Sequence, residues 1–363
     1  MKIAFMGRSL SHHAGIGRYS RCLLQAMARI ASHEIVVLAN RDPGPMPRAI
    51  RTICTPRTSF PSILFWEQYD LPRIVRSARI DVLFNPDFTL PLRCPVPGVV
   101  TVHDISYALM PQYSGLRARL YYGLFVPASI RAARKVLTDS EFSKKAIRDH
   151  FRLADDKIVV AHLAADGRFR PDPQADDATI VHRKYGLNAY VLYVGLLGGW
   201  KNVEGLIAAY EKIAGDTDCD LVLAGKSCPA TRKIISAARS SSVSRRIHIL
   251  TDPSDDDLPA LYRGARLFAF PSLYEGFGLP PLEAMASGVP VVCTSAASLP
   301  EVAGDAAVLV EPGNTAAMAA ALLDVLSDES LRNRLAHGGL LRAQHFSWDA
   351  AAATVLAVLE KEG

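Results

Sequence analysis

Short hydrophobic runs alternate with longer amphipathic stretches along the whole chain. Each run is four to six residues long, the length of a strand buried on both faces, and the stretches between them have the apolar spacing of helices. This alternation is typical of parallel sheets with helical crossovers. In the first part of the chain the pattern predicts strands at residues 2–6, 34–39, 81–85, 99–102, 135–138 and 157–161, and helices near 16–30, 62–78, 116–133 and 140–151.

A polar, proline-containing stretch at residues 168–179 interrupts the rhythm and is typical of a linker. The pattern then restarts and ends in an amphipathic helix over 346–361, for which Ser347 is the expected N-cap. The sequence therefore predicts one α/β architecture twice, with domains at 1–170 and 171–345 and a closing helix at 346–363. The second series of predicted strands is 190–195, 220–225, 246–250, 266–270, 290–293 and 306–310.

The composition is that of a folded protein. The chain has 363 residues, 49% of them hydrophobic and 21% charged, enough for two domain cores. Its first apolar stretch is too short for a signal peptide or a membrane span, so we expect a cytoplasmic protein. The six cysteines lie far apart without metal-ligand spacing, and they are expected to be reduced core residues.

Charge is distributed unevenly between the two predicted domains. Residues 1–170 hold 25 Lys and Arg against 13 Asp and Glu, whereas the remainder has 16 against 23. A basic half indicates a phosphorylated substrate or an anionic membrane surface as partner. A nucleic-acid partner is not expected, because no binding module and no basic stripe interleaved with aromatics is present.

The most informative stretch is FPSLYEGFGLPPLEAMASGVPVV at residues 270–292. A predicted strand ends there, a turn with Glu275 and two glycines follows, and a helix is expected to begin at the two prolines with Glu283 in its first turn. Carboxylates accept hydrogen bonds from neighbouring hydroxyls, and amides at a helix start attract diphosphate oxygens. The amides expected to do so belong to Phe277, Gly278 and Leu279.

The run E-G-F-G-L-P-P-L-E resembles the E-x7-E motif of family 4 glycosyltransferases, a large group of retaining enzymes with the GT-B fold. The resemblance covers almost the whole chain and implies two Rossmann-like domains that face each other across a cleft, with the acceptor in the first domain and the donor in the second. It implies that Glu275 and the following amides hold the donor sugar, and that Glu283 contacts the ribose.

The same resemblance extends to the N-terminal half. In GIGRYS, Gly15 and Gly17 correspond to the family's first glycine-rich loop, near the donor phosphate or sugar; a tight strand-to-helix turn is the alternative. In TVHD, His103 corresponds to a histidine beside the donor sugar, which acts through a side-chain hydrogen bond or its backbone carbonyl, and Asp104 is its neighbour. Ser140 in TDSEFS fits the family's strand-to-helix junction or a plain N-cap.

Cations near the donor phosphates are predicted in the second half. In GLLGGWKN, Lys201 and Asn202 match the family's phosphate-binding stretch, but Leu196 and Trp200 stand where the family frequently has arginines. Lys201 is therefore expected to carry more of the charge neutralisation, together with Arg18 or Lys226. The departure also admits an unusual donor or an impaired enzyme.

Two further patterns each have a chemical and a structural explanation. Asp255-x-Asp257 has the spacing of a metal-binding carboxylate pair, but a capping box of Ser254 and Asp257 is the preferred explanation, and the resembling family needs no metal. Aromatic residues lie among arginines in residues 57–74 and 116–136; core packing or an acceptor groove near an anionic bilayer explains them. The acceptor-side candidates are Arg18, Tyr19, Trp66 and Asp104.

These features together favour a retaining glycosyltransferase without a metal cofactor. Its expected donor is a nucleotide sugar, with GDP-mannose as the best candidate, and its expected acceptor is a saccharide or a lipid-linked saccharide. Two alternatives stay open. A nucleotide-sugar epimerase on the same fold would turn over the donor without acceptor, and a non-catalytic subunit would bind the donor without transfer or hydrolysis.

Overall fold

The computed structural model describes residues 1–11, 15–57 and 62–363, and its chain forms two compact units. The first unit comprises Met1–Leu163 and Ser347–Gly363, and the second comprises Ala164–Phe346. The division falls before the predicted boundary at residue 170 because Phe169 is already part of the second core. Its ring packs edge-on against Tyr262, with 5.3 Å between the ring centroids.

The first unit is built on a seven-stranded sheet in the order β3-β2-β1-β4-β5-β6-β7, with all neighbours parallel. The strands are β1 (Lys2–Met6), β2 (Glu34–Ala39), β3 (Arg51–Cys54), β4 (Val82–Asn85), β5 (Gly98–Thr101), β6 (Lys135–Thr138) and β7 (Ile158–Val160). Six of them match the predicted strands closely. The sequence missed β3 because it is an edge strand with no buried residue, so it lacks a hydrophobic run.

Helices cover this sheet as α1 (Ile16–Ile30), α2 (Ser62–Phe65), α3 (Leu71–Ser77), α4 (Ser106–Leu109), α5 (Leu116–Ala132) and α6 (Glu141–Phe151). The single helix predicted over 62–78 is divided, because a π-helical turn, Trp66–Asp70, lies between α2 and α3. Pro72 is the second residue of α3 and has no N–H to donate to the preceding turn, which favours this local change of winding. The N-cap of α6 is as predicted: Ser140 accepts the Ser143 N–H at 3.0 Å.

The second unit contains a six-stranded parallel sheet in the order β10-β9-β8-β11-β12-β13. Its strands agree with the predicted series to within one or two residues. They are β8 (Tyr190–Val194), β9 (Asp220–Gly225), β10 (Ile247–Thr251), β11 (Leu267–Phe270), β12 (Val291–Thr294) and β13 (Val308–Val310). The helices are α7 (Asp177–Tyr185), α8 (Val203–Ile213), α9 (Thr231–Ser240), α10 (Leu258–Arg263), α11 (Leu279–Ala286), α12 (Leu299–Ala303), α13 (Thr315–Ser327) and α14 (Glu329–Ala343).

The closing helix, α15 (Trp348–Glu362), returns to the first unit and packs on α1. Ser347 caps it as predicted, accepting the Ala350 N–H at 3.0 Å. Arg29 and Asp349 form an ion pair between the two helices, with 2.6 Å between Nη2 and Oδ1. None of the helices in the described ranges has the length and hydropathy needed to span a bilayer.

Two local predictions were wrong. The capping box at Ser254 and Asp257 is absent: α10 begins only at Leu258, and the Asp257 carboxylate instead binds Lys184 Nζ at 2.6 Å and the Tyr185 hydroxyl at 2.7 Å. A long-range ion pair thus replaces the local cap. The cysteines are free, but only three are buried, since Cys54 ends the exposed edge strand and is itself exposed.

Two glycines bring β8 and β9 together at their carboxyl ends. Gly225 has φ of 157°, and a Cβ atom there would lie 1.6 Å from the backbone oxygen of Gly195. No side chain fits this contact without moving the backbone. The close approach keeps the loops after β8 and β9 adjacent.

Replacement of Gly225 by alanine is therefore expected to lower the free energy of unfolding by on the order of 2 kcal/mol or more, from the backbone strain and the clash. The measurement is urea unfolding at equilibrium. Gly215→Ala is the matched control, because Gly215 is exposed and a Cβ there meets nothing within 4 Å. Equal stability of the two variants would contradict the packing described.

Candidate functional site

His103 lies just after β5, at the carboxyl edge of the first sheet. Its Nδ1 is 2.7 Å from Asp139 Oδ2, and its Nε2 is 3.0 Å from the carbonyl oxygen of Pro86. A carbonyl oxygen only accepts, so Nε2 carries a hydrogen, and an ionised Asp139 requires one on Nδ1 as well. The geometry therefore favours the doubly protonated imidazolium.

Protonation of this pair is also favoured by its surroundings. Burial alone would lower the pKa of His103, but the charge and hydrogen bond of Asp139, with a further contribution from Asp87, raise it above its ordinary value. Burial also raises the pKa of Asp139, despite the opposing effect of the histidine. The pair thus retains its protons to higher pH than isolated groups would.

A second charged cluster at this edge was not found from the sequence. Arg8 Nη1 lies 2.9 Å from Glu67 Oε2, and its Nη2 lies 2.8 Å from Asp87 Oδ2. Burial would lower the pKa of Arg8, but the two carboxylates raise it well above its ordinary value. The sequence gives one signal for this cluster, since Arg8 and Asp87 each follow shortly after a predicted strand. Glu67 belongs to the π-helical turn, and only the fold shows that this turn lies close to Arg8.

The predicted glycine loop begins α1. Residues 12–14 lie outside the described residues, Gly15 is the N-cap with φ of 50°, and Gly17 is buried in the first turn. Arg18 follows on the same turn and is partly exposed. The positive φ explains Gly15 as a turn residue and leaves its predicted contact with a donor as a prediction.

The other acceptor-side candidates have structural contacts. The Tyr19 ring is buried edge-on against His103, with 4.7 Å between centroids, and Asp104 accepts the Ser106 N–H at 2.7 Å at the start of α4. Trp66 is fully buried and donates its indole N–H to Thr55 at 2.7 Å. A side chain buried in this way argues against contact with an acceptor at Trp66. Core packing, the alternative explanation for the aromatic residues of this segment, agrees with its position.

Lys201 and Glu275 meet at the carboxyl edge of the second sheet. The Lys201 Nζ atom is 2.6 Å from Glu275 Oε1, and both side chains are largely buried. Lys201 follows β8 through a turn at Gly199–Lys201, and Glu275 follows β11. The fold therefore brings together two predicted donor-site residues that are 74 positions apart.

The loop that carries Glu275 is fixed by hydrogen bonds to its backbone. The Ser298 hydroxyl lies 2.9 Å from the Glu275 carbonyl and 2.7 Å from the Phe277 carbonyl, and Thr294 donates to the Ser272 carbonyl. Gly278 is the N-cap of α11 with φ of 114°, a conformation that favours glycine. The carboxylate is thus held on a rigid loop.

The start of α11 differs in one detail from the prediction. The helix begins at Leu279, so Glu283 falls in its second turn rather than its first. Glu283 is 1% exposed, and its Oε2 accepts the Tyr262 hydroxyl at 3.0 Å. Its predicted contact with a ribose stays a prediction. Pro280 and Pro281 have no N–H, so any amide donors at this helix start belong to residues 277–279.

The remaining predicted donor residues surround the Lys201 turn. Asn202, in the left-handed region with φ of 53°, donates to the Pro271 carbonyl at 3.4 Å and so joins the two loops. Lys226 follows β9, and its side chain is exposed. Lys201 Nζ lies 5.8 Å from the centre of the Trp200 ring, so an aromatic face stands where the family frequently has an arginine.

The charge of Glu275 is felt by a neighbouring phenol. Burial, and next the charge of Glu275, raise the pKa of Tyr193 well above its ordinary value, which keeps the hydroxyl neutral. That hydroxyl donates to the Leu196 carbonyl at 2.9 Å.

Across the described part of the chain, no three His, Cys, Asp or Glu side chains are grouped so that they could hold a metal ion.

Comparison with known proteins agrees with this architecture. O-antigen chain mannosyltransferase B of Escherichia coli is 36% identical over 272 residues, which are 74% of this chain and 71% of the relative. Three matches to serotype-specific mannosyltransferase WbdA of Escherichia coli, at 31 to 32% identity over 61% of this chain, cover only 27 to 28% of those longer proteins.

Two solved structures show the same fold. WaaG, a glycosyltransferase involved in lipopolysaccharide biosynthesis, superposes with a TM-score of 0.77 at 20% identity, over 98% of this chain and 99% of that one. Anabaena Alr3699/HepE in complex with UDP and glucose also gives a TM-score of 0.77, at 19% identity, over 99% of this chain and all of that one.

The two Rossmann-like units have the GT-B fold, and the family and its relatives show that the chain is a glycosyltransferase. The chain belongs to the group 1 glycosyl transferases, whose family description matches residues 177–361, and residues 13–166 match glycosyltransferase family 4. The family and fold predicted from the motif at Glu275 are thereby confirmed.

The protonated His103–Asp139 pair predicts a pH dependence of stability. The unfolded chain releases the histidine proton near pH 6.5, whereas the folded chain holds it to higher pH. The stabilisation is complete below that pH and is lost as the pH rises through the folded pKa, at no more than about 1.4 kcal/mol per pH unit for one proton. His103→Gln should remove this component.

The measurement is the free energy of unfolding in urea between pH 6 and 9 for the wild type and His103→Gln. We expect the wild-type value to fall more steeply with pH than that of the variant. His150→Gln serves as control, since it replaces an exposed histidine of the same unit that does not act on the His103–Asp139 pair. Parallel curves for the wild type and His103→Gln would show that His103 is not held in its charged form.

Proposed function

We propose that this enzyme is a retaining mannosyltransferase. It transfers mannose from GDP-mannose to a saccharide or lipid-linked saccharide in the synthesis of a surface polysaccharide. The mannosyl specificity is supported by the names of the relatives, and a nucleotide-sugar donor is supported by the UDP and glucose bound to the solved neighbour. Retention is proposed from the likeness of the E-x7-E motif to that of family 4.

The observation that carries the proposal is the Lys201–Glu275 pair. A carboxylate accepts hydrogen bonds from two neighbouring sugar hydroxyls, and an ammonium group neutralises a diphosphate. The two groups lie 2.6 Å apart on adjacent loops, so one hexosyl diphosphate can reach both. In the free enzyme they neutralise each other, and the donor would replace this contact with two of its own.

The proposed reaction proceeds on one face of the sugar. The acceptor hydroxyl oxygen forms a bond to the anomeric carbon as the bond from that carbon to the diphosphate oxygen breaks, and a leaving-group oxygen takes the proton. The configuration is thereby retained. The protein contributes by positioning both substrates and by stabilising the diphosphate charge.

We propose that charge on the leaving diphosphate is stabilised without a metal ion. Lys201 supplies a cation beside Glu275, and Lys226 lies exposed after the neighbouring strand β9. The start of α11 adds the positive end of a helix dipole. Leu196 and Trp200 add no charge, so Lys201 should be more important here than in relatives that carry arginines at these positions.

We further propose that the enzyme acts at the cytoplasmic face of a membrane, where the basic first unit contacts anionic lipid. The excess of Lys and Arg in residues 1–170 supports this contact, since each such residue near the surface contributes about 1 kcal/mol.

Glu275→Gln is expected to lower the rate of mannosyl transfer by at least about 100-fold, because the amide removes the charge that faces the sugar and Lys201. The assay follows transfer from radiolabelled GDP-mannose to an oligomannose acceptor. Glu329→Gln, at an exposed glutamate on α14, is the matched control and should retain full activity. Wild-type activity of Glu275→Gln would remove the assigned role.

Donor identity is tested by thermal shift against GDP-, UDP-, dTDP- and ADP-sugars. A ligand at 100 times its Kd stabilises the fold by about 2.7 kcal/mol, so the true donor should raise the Tm measurably, and GDP-mannose should raise it most. A larger shift with a UDP-sugar would contradict the mannosyl assignment. Turnover of the donor without acceptor would instead indicate an epimerase, and binding without transfer or hydrolysis a non-catalytic subunit.

A further inference from the structure

Two aromatic residues lie on either side of the chain boundary between the two units. Phe346 is the last residue of the second unit, and Trp348, the first residue of α15, belongs to the first unit. Both side chains are partly buried. Only Ser347 separates them in the chain, and its hydroxyl holds the segment by accepting the Ala350 N–H at 3.0 Å. A change in the packing of one ring can therefore be transmitted to the other over a short segment.

Phe346 packs against the loop at residues 275–279, the predicted donor loop. Its ring is perpendicular to that of Phe277, at 86°, with 5.6 Å between the centroids. The Arg342 guanidinium carbon lies 5.0 Å from the centre of the Phe346 ring, a cation–π contact that restrains it. Phe277 is thus held by Phe346 at its ring and by the Ser298 hydroxyl at its carbonyl.

Trp348 is connected to His103 through one intermediate ring. The centroids of Trp348 and Tyr19 are 6.0 Å apart, and the Tyr19 ring is perpendicular to that of His103 at 4.7 Å. Tyr19 is 3% exposed, and its hydroxyl is 3.0 Å from Thr101 Oγ1 at the end of β5. A side chain enclosed in this way moves only together with its neighbours, because protein interiors are close-packed. Trp348 thereby contributes to the position of the His103 ring.

We propose that Phe346 and Trp348 are positioning residues for the transfer reaction, which couple the donor loop to His103. Binding of a nucleotide sugar at the loop amides changes the support of Phe277, and the segment 346–348 transmits this change to Tyr19. The inference rests on the proposed function, because it assigns the donor to the loop. The competing explanation is that the two rings only anchor α15, in which case their effects on the reaction would be independent.

The test is a double-mutant cycle on the transfer rate with Phe346→Leu, Trp348→Leu and the combined variant. Each single substitution is expected to lower kcat about tenfold and to leave the donor KM within about twofold of the wild type. Since both act on one coupling, the combined variant should also lose about tenfold, whereas independent effects would multiply to about a hundredfold. Trp348→Phe keeps an aromatic ring and should restore most of the rate.

Phe151→Leu is the matched control for lost stability. Phe151 is the last residue of α6 and packs on the core of the first unit, with its ring centroid 4.7 Å from that of His150. It should lower the free energy of unfolding in urea about as much as Trp348→Leu and leave kcat unchanged. The stability losses of Phe346→Leu and Trp348→Leu should be additive, because the two rings pack in different units.

Three kinetic results would overturn the coupling. They are a loss of about a hundredfold in the combined variant, an unchanged kcat in either single variant, and a loss of kcat in Phe151→Leu equal to that in Trp348→Leu.

Tryptophan fluorescence separates this inference from the proposed function. The chain has three tryptophans, and the part of the donor-induced change that Trp348→Phe removes belongs to Trp348. The probe is the nucleotide sugar that gives the largest thermal shift. Phe346→Leu should abolish the Trp348 part of the change, although the indole is retained.

Persistence of the Trp348 signal in Phe346→Leu, or a wild type without such a signal, would refute the coupling. A wild type that shows the signal and its loss in Phe346→Leu but transfers no mannose would refute the proposed function and leave the coupling intact.

Discussion

The charged side chains at the carboxyl ends of the parallel strands are largely buried. Each of them therefore needs a partner of opposite charge close by, because an unpaired charge out of water is strongly destabilising. The second sheet meets this requirement with Lys201 and Glu275, whose charged atoms are 2.6 Å apart. The first sheet meets it with Arg8 between Glu67 and Asp87, and with His103 against Asp139. Loss of one partner would leave the other charge buried and uncompensated.

This constraint also gives the departures from the family pattern a physical meaning. With Leu196 and Trp200 in place of arginines, Lys201 is the cation that neutralises Glu275, and the adjacent indole and the Phe270 ring supply aromatic faces to it. A nucleotide-sugar diphosphate would bring two negative charges to a site with few cations. Donor affinity in this enzyme should then depend on Lys201 and on backbone amides more than on a cluster of basic side chains.

The contacts of His103 narrow the roles open to it. Both ring nitrogens are engaged, one by Asp139 and one by the Pro86 carbonyl. A side-chain hydrogen bond to a sugar hydroxyl would require one of these contacts to break, whereas a role for the backbone carbonyl would not. Asp139 is thus placed to orient the His103 ring. The family resemblance at TVHD did not indicate this role for Asp139.

The sequence by itself determined the two α/β units, nearly every strand and the family. A buried strand needs a continuous run of hydrophobic residues, and the E-x7-E motif lies within one short segment, so both can be recognised from neighbouring residues. It also pointed to Lys201 and Glu275 as candidate donor-site residues, although not to the ion pair that they form. The tertiary structure alone decided which charges meet. Glu67 pairs with Arg8, which is 59 positions away in the sequence. Asp257 binds Lys184 and does not form the expected cap, and Trp66 lies buried in the core. Such choices depend on distances between elements remote in sequence, and no local pattern encodes them.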